Sequence, residues 1–149
     1  MTVTASDGLT PSLLLKMSAA DLDALFSRSP PGPIPTGQAD GEAIIAPGTP
    51  YSPEIASLIN HVFWQGKVFN PETGELKNRI LPLGWKAVIA KVYAGESWFD
   101  HKPCIVIDYS ETSLIAHWVR DEIRLIGPGL YLGKVYWKQT SIFHFSLKV

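Results

Sequence analysis

The residues best suited to chemistry lie in one apolar run, Ser113 to Gly127, which charged side chains interrupt at Arg120, Asp121, Glu122 and Arg124. Desolvation disfavours the charged form of a buried carboxylate and raises its pKa toward neutrality, which suits it to general acid–base catalysis. Asp121 is such a candidate, with Tyr109 or His117 as the proton donor. A site of this kind could isomerise, cyclise or cleave an apolar substrate without a cofactor.

Other kinds of site are disfavoured by spacing. Ser97, Asp100 and His101 fall within five residues, but sequence neighbours seldom adopt triad geometry and no G-x-S-x-G motif is present. The four histidines lie far apart, without an H-x-H, HExxH or CxxC pattern, so we expect no metal site. The stretch GPGLYLG lacks the lysine and following helix of a phosphate loop. We therefore expect no cofactor.

Composition predicts one globular domain over residues 1–149. A net charge of -1, with scattered basic residues, gives no electrostatic reason to expect nucleic acid as a partner. No apolar run approaches the ~18 residues that cross a bilayer, and the first residues lack the features of a secretory signal. The single cysteine, Cys104, stands beside three aliphatic residues and is interpreted as a buried structural residue. These features together favour a cytoplasmic protein that does not insert into membranes.

Two helices and two irregular segments are indicated in the first part of the chain. Residues 1–16 are expected to form a flexible tail. A helix is predicted from Ala19 to Phe26, because Ser18 can cap it and its apolar residues share one face. Residues 27–37, rich in proline and glycine, should form a connector. A second helix is predicted from Ser52 to Phe63, where a cap and a proline precede an amphipathic pattern.

The remainder reads as short strands separated by turn residues. The runs are WQGKVF, ELKNRIL, WKAVIAKVYA, CIVIDYS, YLGKVYW and SIFHFSLKV. Antiparallel strands at this spacing, with helices near the start, favour a mostly β fold in which a meandering sheet closes or curls into a barrel.

Periodicity alone leaves the run from Ser113 to Gly127 undecided. As a helix, it would place Glu122 in the middle of an apolar face. As a strand, it would direct Arg120, Glu122 and Arg124 outward as a charged row and leave Asp121 within an apolar row.

Two short motifs resemble those of the GXWXG/DUF4334 family. The motif W-x-G-K-x-F is matched by Trp64, Gly66, Lys67 and Phe69. The motif G-x-W-x-G is matched at both glycines of Gly37 to Gly41, with Ala39 in place of the tryptophan. The resemblance implies a calycin-like β-barrel, similar to fatty-acid-binding proteins, that binds lipids or other apolar molecules. It also implies that Ser113 to Ile126 is largely strand, and we adopt that interpretation.

Strand alternation then assigns candidate residues to the barrel interior. Together with the motif, it nominates as ligand-binding residues Trp64, Lys67, Asn78, Tyr109, His117, Asp121, Tyr131, Phe143 and Phe145. Simpler roles stay open for several of them: a solvated position for Lys67, a structural hydrogen bond for Asn78, and core packing for Trp64. Asp121 could instead pair with an arginine, namely Arg79, Arg120 or Arg124.

Three functions remain on the sequence alone. The first is a carrier or sensor that binds a lipid-like or other apolar small molecule in the barrel, because apolar walls with a few polar groups suit an amphiphile. The second is a cofactor-independent acid–base enzyme that uses Asp121 in the same cavity. The third is a protein-interaction module based on the proline-rich segment SRSPPGPIP.

Overall fold

The computed structural model describes residues 8–44, 63–81, 89–112 and 117–149, and of these it describes the side chains outside 63–66 and 78–81. The described chain forms a closed barrel of eight antiparallel strands in which each strand pairs with the next and the last pairs with the first. The strands are β1 (Gly37–Ile44), β2 (Phe63–Asn70), β3 (Glu75–Leu81), β4 (Ile89–Glu96), β5 (Pro103–Asp108), β6 (Val119–Gly127), β7 (Leu130–Trp137) and β8 (Thr140–Lys148). The predicted mostly β, calycin-like barrel is therefore confirmed.

The strand interpretation of the charged run is confirmed over β6. His117 and Trp118 form a turn before it, and residues 113–116 lie outside the described chain. Pairing with neighbouring strands explains why this run is a strand and not a helix. β6 pairs with β7 from Val119 to Gly127 and with β5 from Arg120 to Ile123, which provides partners for its backbone polar groups.

Successive strands run in opposite directions, so each end of the barrel holds the last residues of some strands and the first residues of others. The Tyr109 end holds the last residues of β5 and the first residues of β6. The opposite end, which we call the connector end, holds the last residues of β2 and β6 and the first of β7.

Alternation places the apolar core inside the barrel. Its buried members are Ala39, Phe69, Leu76, Ala90, Val92, Ile105, Ile107, Tyr109, Ile123, Tyr131, Val135, Phe145 and Leu147. Phe143 is partly buried and packs against them. The period of two that assigns Phe145 and Leu147 inward in β8, and Ala90 and Val92 inward in β4, is thus confirmed.

Glycine at position 133 lets an aromatic ring cross the interior. Gly133 on β7 pairs in register with Phe145 on β8. A Cβ at this glycine would lie 2.2 Å from the Phe145 ring, so only a residue without a side chain accommodates the ring here.

Two helices cover part of the barrel's outer surface. They are α1 (Pro11–Leu14) and α2 (Ala19–Ser27), and the Ser18 hydroxyl caps α2 by accepting the Asp21 amide at 3.1 Å. Leu22, Leu25 and Phe26 of α2 pack on an apolar patch of the outer wall. The helix predicted from Ala19 is therefore confirmed. The helix predicted from Ser52 to Phe63 lies outside the described residues except for Phe63, which begins β2.

The predicted flexible tail is wrong for its last part. Thr10 caps α1 by accepting the Leu13 amide at 3.2 Å, and Leu14 is completely buried in the cluster beneath the helices. Apolar burial of Leu14 offsets the entropy lost on ordering this segment.

The proline-rich connector after α2 has no regular secondary structure, as expected, and crosses the connector end. The Leu125 amide donates to the Pro30 carbonyl at 2.9 Å, and the Tyr131 hydroxyl donates to the Pro33 carbonyl at 2.5 Å. Gly32 has φ +69°, and a Cβ there would lie 2.5 Å from the Leu125 Cβ. These contacts fix the connector against the wall. Within the described residues, no helix has the length and apolar character that a membrane span requires.

Candidate functional site

Among the described side chains, three polar ones meet inside the barrel and form what we call the interior cluster: Lys67, Tyr109 and Asp121. The Lys67 ammonium lies 2.8 Å from the Tyr109 hydroxyl and 3.1 Å from an Asp121 carboxylate oxygen. The Tyr109 hydroxyl donates to the same carboxylate oxygen at 3.3 Å. Their exposures are only 2%, 3% and 4%, so the three groups give one another polar contacts in a site that excludes most water.

The strands bring these residues together across the barrel rather than along one wall. Lys67 lies on β2 and Asp121 on β6, which are four strands apart in the order of the barrel. Tyr109 directly follows β5, at the barrel end that bears its name. The Lys67–Asp121 pair therefore spans the interior.

Apolar neighbours desolvate the carboxylate. Asp121 pairs in register with Ile107 on β5 and with Val135 on β7, and both are buried in the core. Burial raises the pKa of Asp121, while the charge and hydrogen bond of Lys67 and the hydrogen bond of Tyr109 oppose the rise. The net direction is upward, so desolvation is the stronger effect.

The lysine experiences the converse effect. Burial lowers the pKa of Lys67, and the charge and hydrogen bond of Asp121 oppose the fall. The two pKa values thus move toward each other, which brings the neutral amine–carboxylic acid pair closer in free energy to the ion pair. The cluster therefore places an amine, a carboxyl group and a phenol within hydrogen-bonding distance of one another.

Aromatic rings and a small side chain complete the surroundings of the lysine. Its Nζ lies 5.4 Å from the centroid of the Phe145 ring and 5.5 Å from that of the Tyr109 ring, within reach of cation–π attraction. On β1 its register partner is Ala39, which is completely buried. Ala39, which stands where the G-x-W-x-G motif has tryptophan, is therefore next to Lys67.

The predicted site residues divide into three groups. The structure brings Lys67, Tyr109, Asp121 and Phe145 together. Tyr131 and Phe143 also face the interior, but the Tyr131 hydroxyl is bound to the connector.

Of the remaining predicted residues, one lies away from the interior cluster and two have side chains outside the described set. His117 is in the turn before β6, with its ring centroid 4.3 Å from that of Trp118. Asn78 is the register partner of Lys67, and Trp64 that of Ile80, but their side chains are outside the described set.

Two simpler interpretations are wrong where the structure tests them. Lys67 does not occupy a solvated position, and the described partners of Asp121 are Lys67 and Tyr109, not Arg120 or Arg124; the side chain of Arg79 lies outside the described set. The cause is alternation: Arg120 and Arg124 share a strand with Asp121 but face the opposite side, so they cannot reach it.

The charged row that alternation directs outward from β6 is buried at two of its three positions. Arg124 is 1% exposed and Glu122 is completely buried. The Arg124 guanidinium binds both carboxylate oxygens of Asp100 at 2.7 Å and donates to the Phe26 carbonyl at 2.9 Å. Glu122 accepts from the Ser97 hydroxyl at 2.6 Å. The 97–102 loop and α2 therefore cover the row.

The three residues whose types could form a catalytic triad, Ser97, Asp100 and His101, bind other side chains instead of one another. Ser97 binds Glu122, Asp100 binds Arg124, and His101 lies 2.9 Å from Glu96. On the same covered face, Asp23 of α2 contacts Lys134 and lies 2.8 Å from His144. The sequence signal for this covered network was the alternation of charges in β6, but nothing local showed that other elements would pack on it.

A small cleft at the connector end is separate from the interior cluster. Its volume is about 150 Å³, and its wall includes Ile34, Pro35, Phe69 and Val92. Ligand pockets for drug-sized molecules usually exceed about 300 Å³, so this cleft does not suit a lipid. Cys104 is likewise not a candidate nucleophile, because burial raises the pKa of its thiol to about 12.

Comparison with known proteins supports the fold. No protein-family model matches the chain, and no curated protein matches it either. A crystal structure of a protein from Thermomonospora curvata is similar, with a TM-score of 0.61 and 15% sequence identity over 89% of this chain and 87% of that one. At this identity the similarity concerns the architecture alone: the chain is a calycin-like β-barrel.

Proposed function

We propose that this protein binds a lipid-like or other apolar small molecule inside its barrel and acts as a carrier or sensor. The observation that carries the proposal is the interior cluster, a set of three desolvated polar groups within an apolar lining. Apolar walls supply affinity for a hydrocarbon body, and a few polar groups orient its head.

Energetics favour a role for the cluster beyond folding. Apolar side chains of similar volume in place of a buried ion pair are often equally stable or more stable, because they avoid desolvation of two charges. The chain nevertheless places Lys67 and Asp121 at exposures of 2% and 4%. Hydrogen bonds between a ligand head group and the cluster would offset the free-energy cost of burying these two charged side chains.

Within the described residues, the connector crosses one end of the barrel through contacts with Leu125 and Tyr131, and Tyr109 lies at the opposite end. In this proposal the ligand head group contacts Lys67, Tyr109 and Asp121, and its apolar body lies against the core residues that line the interior.

Native mass spectrometry and direct binding test this proposal. Purified protein should carry co-purifying apolar molecules that denaturation releases, and the emptied protein should bind a fluorescent apolar probe that decan-1-ol displaces. Ala39→Leu should weaken probe binding at least about tenfold, since it fills space beside Lys67 and a tenfold loss equals about 1.4 kcal/mol. Val68→Leu, at an exposed position of the same strand as Lys67, is the matched control and should bind normally. Unchanged affinity in folded Ala39→Leu protein would contradict the proposal.

The second candidate function is a cofactor-independent acid–base enzyme in the same cavity. It is favoured by the contact of the Tyr109 hydroxyl with Asp121 and by the upward direction of the pKa of Asp121. Asp121 would act as the base and Tyr109 as the donor, with no part for the histidine considered from sequence. Asp121→Asn should abolish turnover while ligand binding persists. Binding without turnover across a broad set of apolar substrates would leave the carrier or sensor role alone.

A cytoplasmic location and the absence of a nucleic-acid partner belong to the same proposal. Their support is the near-neutral charge and the single buried cysteine. Fractionation of cells that express the tagged protein would test the location.

A further inference from the structure

We propose that Lys67 forms a reversible imine with the aldehyde group of an apolar molecule inside the barrel. This inference rests on the proposed function, since it names the ligand class and the bond that holds it. Its basis is the position of a primary amine between a carboxyl group and a phenol in a desolvated site.

The first requirement is a neutral amine. An ammonium group has no lone pair for a carbonyl carbon, and exposed lysines are almost entirely protonated near pH 7. Lys67 is 2% exposed, and its pKa is lowered by that burial. Its proton has a nearby acceptor, because an Asp121 oxygen lies 3.1 Å from Nζ and the pKa of that carboxyl is raised. Proton transfer within the pair therefore yields a neutral amine and a neutral acid.

The second requirement is a proton donor at the developing alcohol. The Lys67 nitrogen attacks the carbonyl carbon, a C–N bond forms, and the carbonyl π electrons move to oxygen. That oxygen takes a proton as the nitrogen loses one, which gives a neutral carbinolamine. The Tyr109 hydroxyl is 2.8 Å from Nζ and 3.3 Å from Asp121, so it can relay this proton.

Loss of water completes the step without any other reactant. Protonation of the carbinolamine oxygen by the Asp121 carboxylic acid breaks the C–O bond, releases water and leaves a C=N bond on a positive nitrogen. In sum, amine, aldehyde and carboxylic acid give iminium, water and carboxylate. Hydrolysis reverses every bond change, so the aldehyde can be released.

The product also fits its surroundings. The Asp121 carboxylate remains as the counter-ion of the iminium, and the rings of Phe145 and Tyr109 face the same nitrogen at 5.4 and 5.5 Å. An uncompensated charge in this apolar lining would be costly, and the pair avoids it.

Reductive trapping with decanal tests the inference. The folded protein is incubated with equimolar decanal and sodium cyanoborohydride, and the modified residue is found by intact mass measurement and peptide mapping. We expect one added decyl group, on Lys67, at least about tenfold more abundant than on exposed Lys91, because burial lowers the pKa of Lys67 and leaves more of its amine neutral, whereas contact with Glu111 raises the pKa of Lys91. A decyl group spread over exposed lysines, with Lys67 no more modified than Lys91, would overturn the proposal.

Variants separate the roles of the cluster. Lys67→Met and Lys67→Arg should both lose the specific adduct, and the arginine variant retains the positive charge. Asp121→Asn should slow trapping about tenfold, since the amide cannot donate the proton. Lys91→Met should trap decanal as the parent protein does. A rate unchanged in Asp121→Asn would refute the part assigned to the carboxyl.

Decan-1-ol distinguishes this inference from the function on which it rests. The alcohol has the same chain but cannot form an imine, and its binding is read by displacement of the fluorescent probe. Binding of decan-1-ol without decanal trapping at Lys67 would overturn the imine and leave the carrier role intact. If decan-1-ol does not bind and decanal is not trapped at Lys67, both the carrier role and the imine are overturned.

Discussion

Lys67→Met tests whether the interior cluster behaves as a buried ion pair. Lys67 and Asp121 have side-chain exposures of 3% and 6% and an N···O distance of 3.1 Å, so the values for exposed pairs, about 0–1 kcal/mol, do not apply. Removal of one partner from a buried pair costs about 3–5 kcal/mol, because the other partner stays desolvated. We expect that loss in the free energy of unfolding at pH 7, measured by urea denaturation with an unchanged m-value.

The pH dependence of the variant gives the cause of the loss. Without Lys67, the carboxyl of Asp121 is still buried, so its folded-state pKa stays above the unfolded value of about 3.9. The folded state then binds more protons than the unfolded state in the window between the two pKa values. The contribution of Asp121 to stability is therefore greatest below about pH 4 and falls by up to about 1.4 kcal/mol per pH unit as pH rises through that window.

A double-mutant cycle supplies the refuting result. Asp121→Leu should also destabilise the protein, but Lys67→Met combined with Asp121→Leu should recover most of the loss, because two apolar side chains leave no unpaired charge. Lys91→Met removes an exposed pair with Glu111 and should leave the midpoint unchanged. The reasoning fails if Lys67→Met costs less than about 1 kcal/mol or if the two single losses simply add.

Three further changes test the rest of the fold. Gly133→Ala should cost about 1–3 kcal/mol in thermal unfolding, because its Cβ would lie 2.2 Å from the Phe145 ring. Addition of Phe145→Leu should relieve part of the loss, and an unchanged melting temperature in Gly133→Ala would contradict this packing. Asp100→Asn should reduce the loss of stability on acidification. The bond to Arg124 lowers the pKa of Asp100 to about 2, so the stabilisation by this carboxylate is present above pH ~4 and disappears as pH falls through about 2. Identical acid-unfolding curves for the parent protein and the variant would argue against this role of Asp100. Ser18→Ala should remove the cap of α2 and cost about 1 kcal/mol by urea denaturation, whereas Ser18→Asp should retain most of the stability.

Local chemistry determined several elements of this protein from the sequence. Helix α2 begins where Ser18 can cap it, and β8 alternates Phe145 and Leu147 with polar residues, so the inward face follows from a period of two. The same reasoning applied to β6 separated Asp121 from Arg120 and Arg124. These properties depend on residues close together in the chain, which is why periodicity and capping predict them.

Only the tertiary structure decided the partner of Asp121 and the environment of the outer charges. Lys67 and Asp121 are 54 residues apart and meet because β1 pairs with β8, which closes the sheet and brings β2 opposite β6. Alternation states that a side chain faces inward, but not which side chain lies across the interior. In the same way, the charges of β6 face outward by alternation, yet Arg124 is buried because the 97–102 loop and α2 pack over it. Sheet closure and packing between distant segments carry this information, and no local pattern contains it.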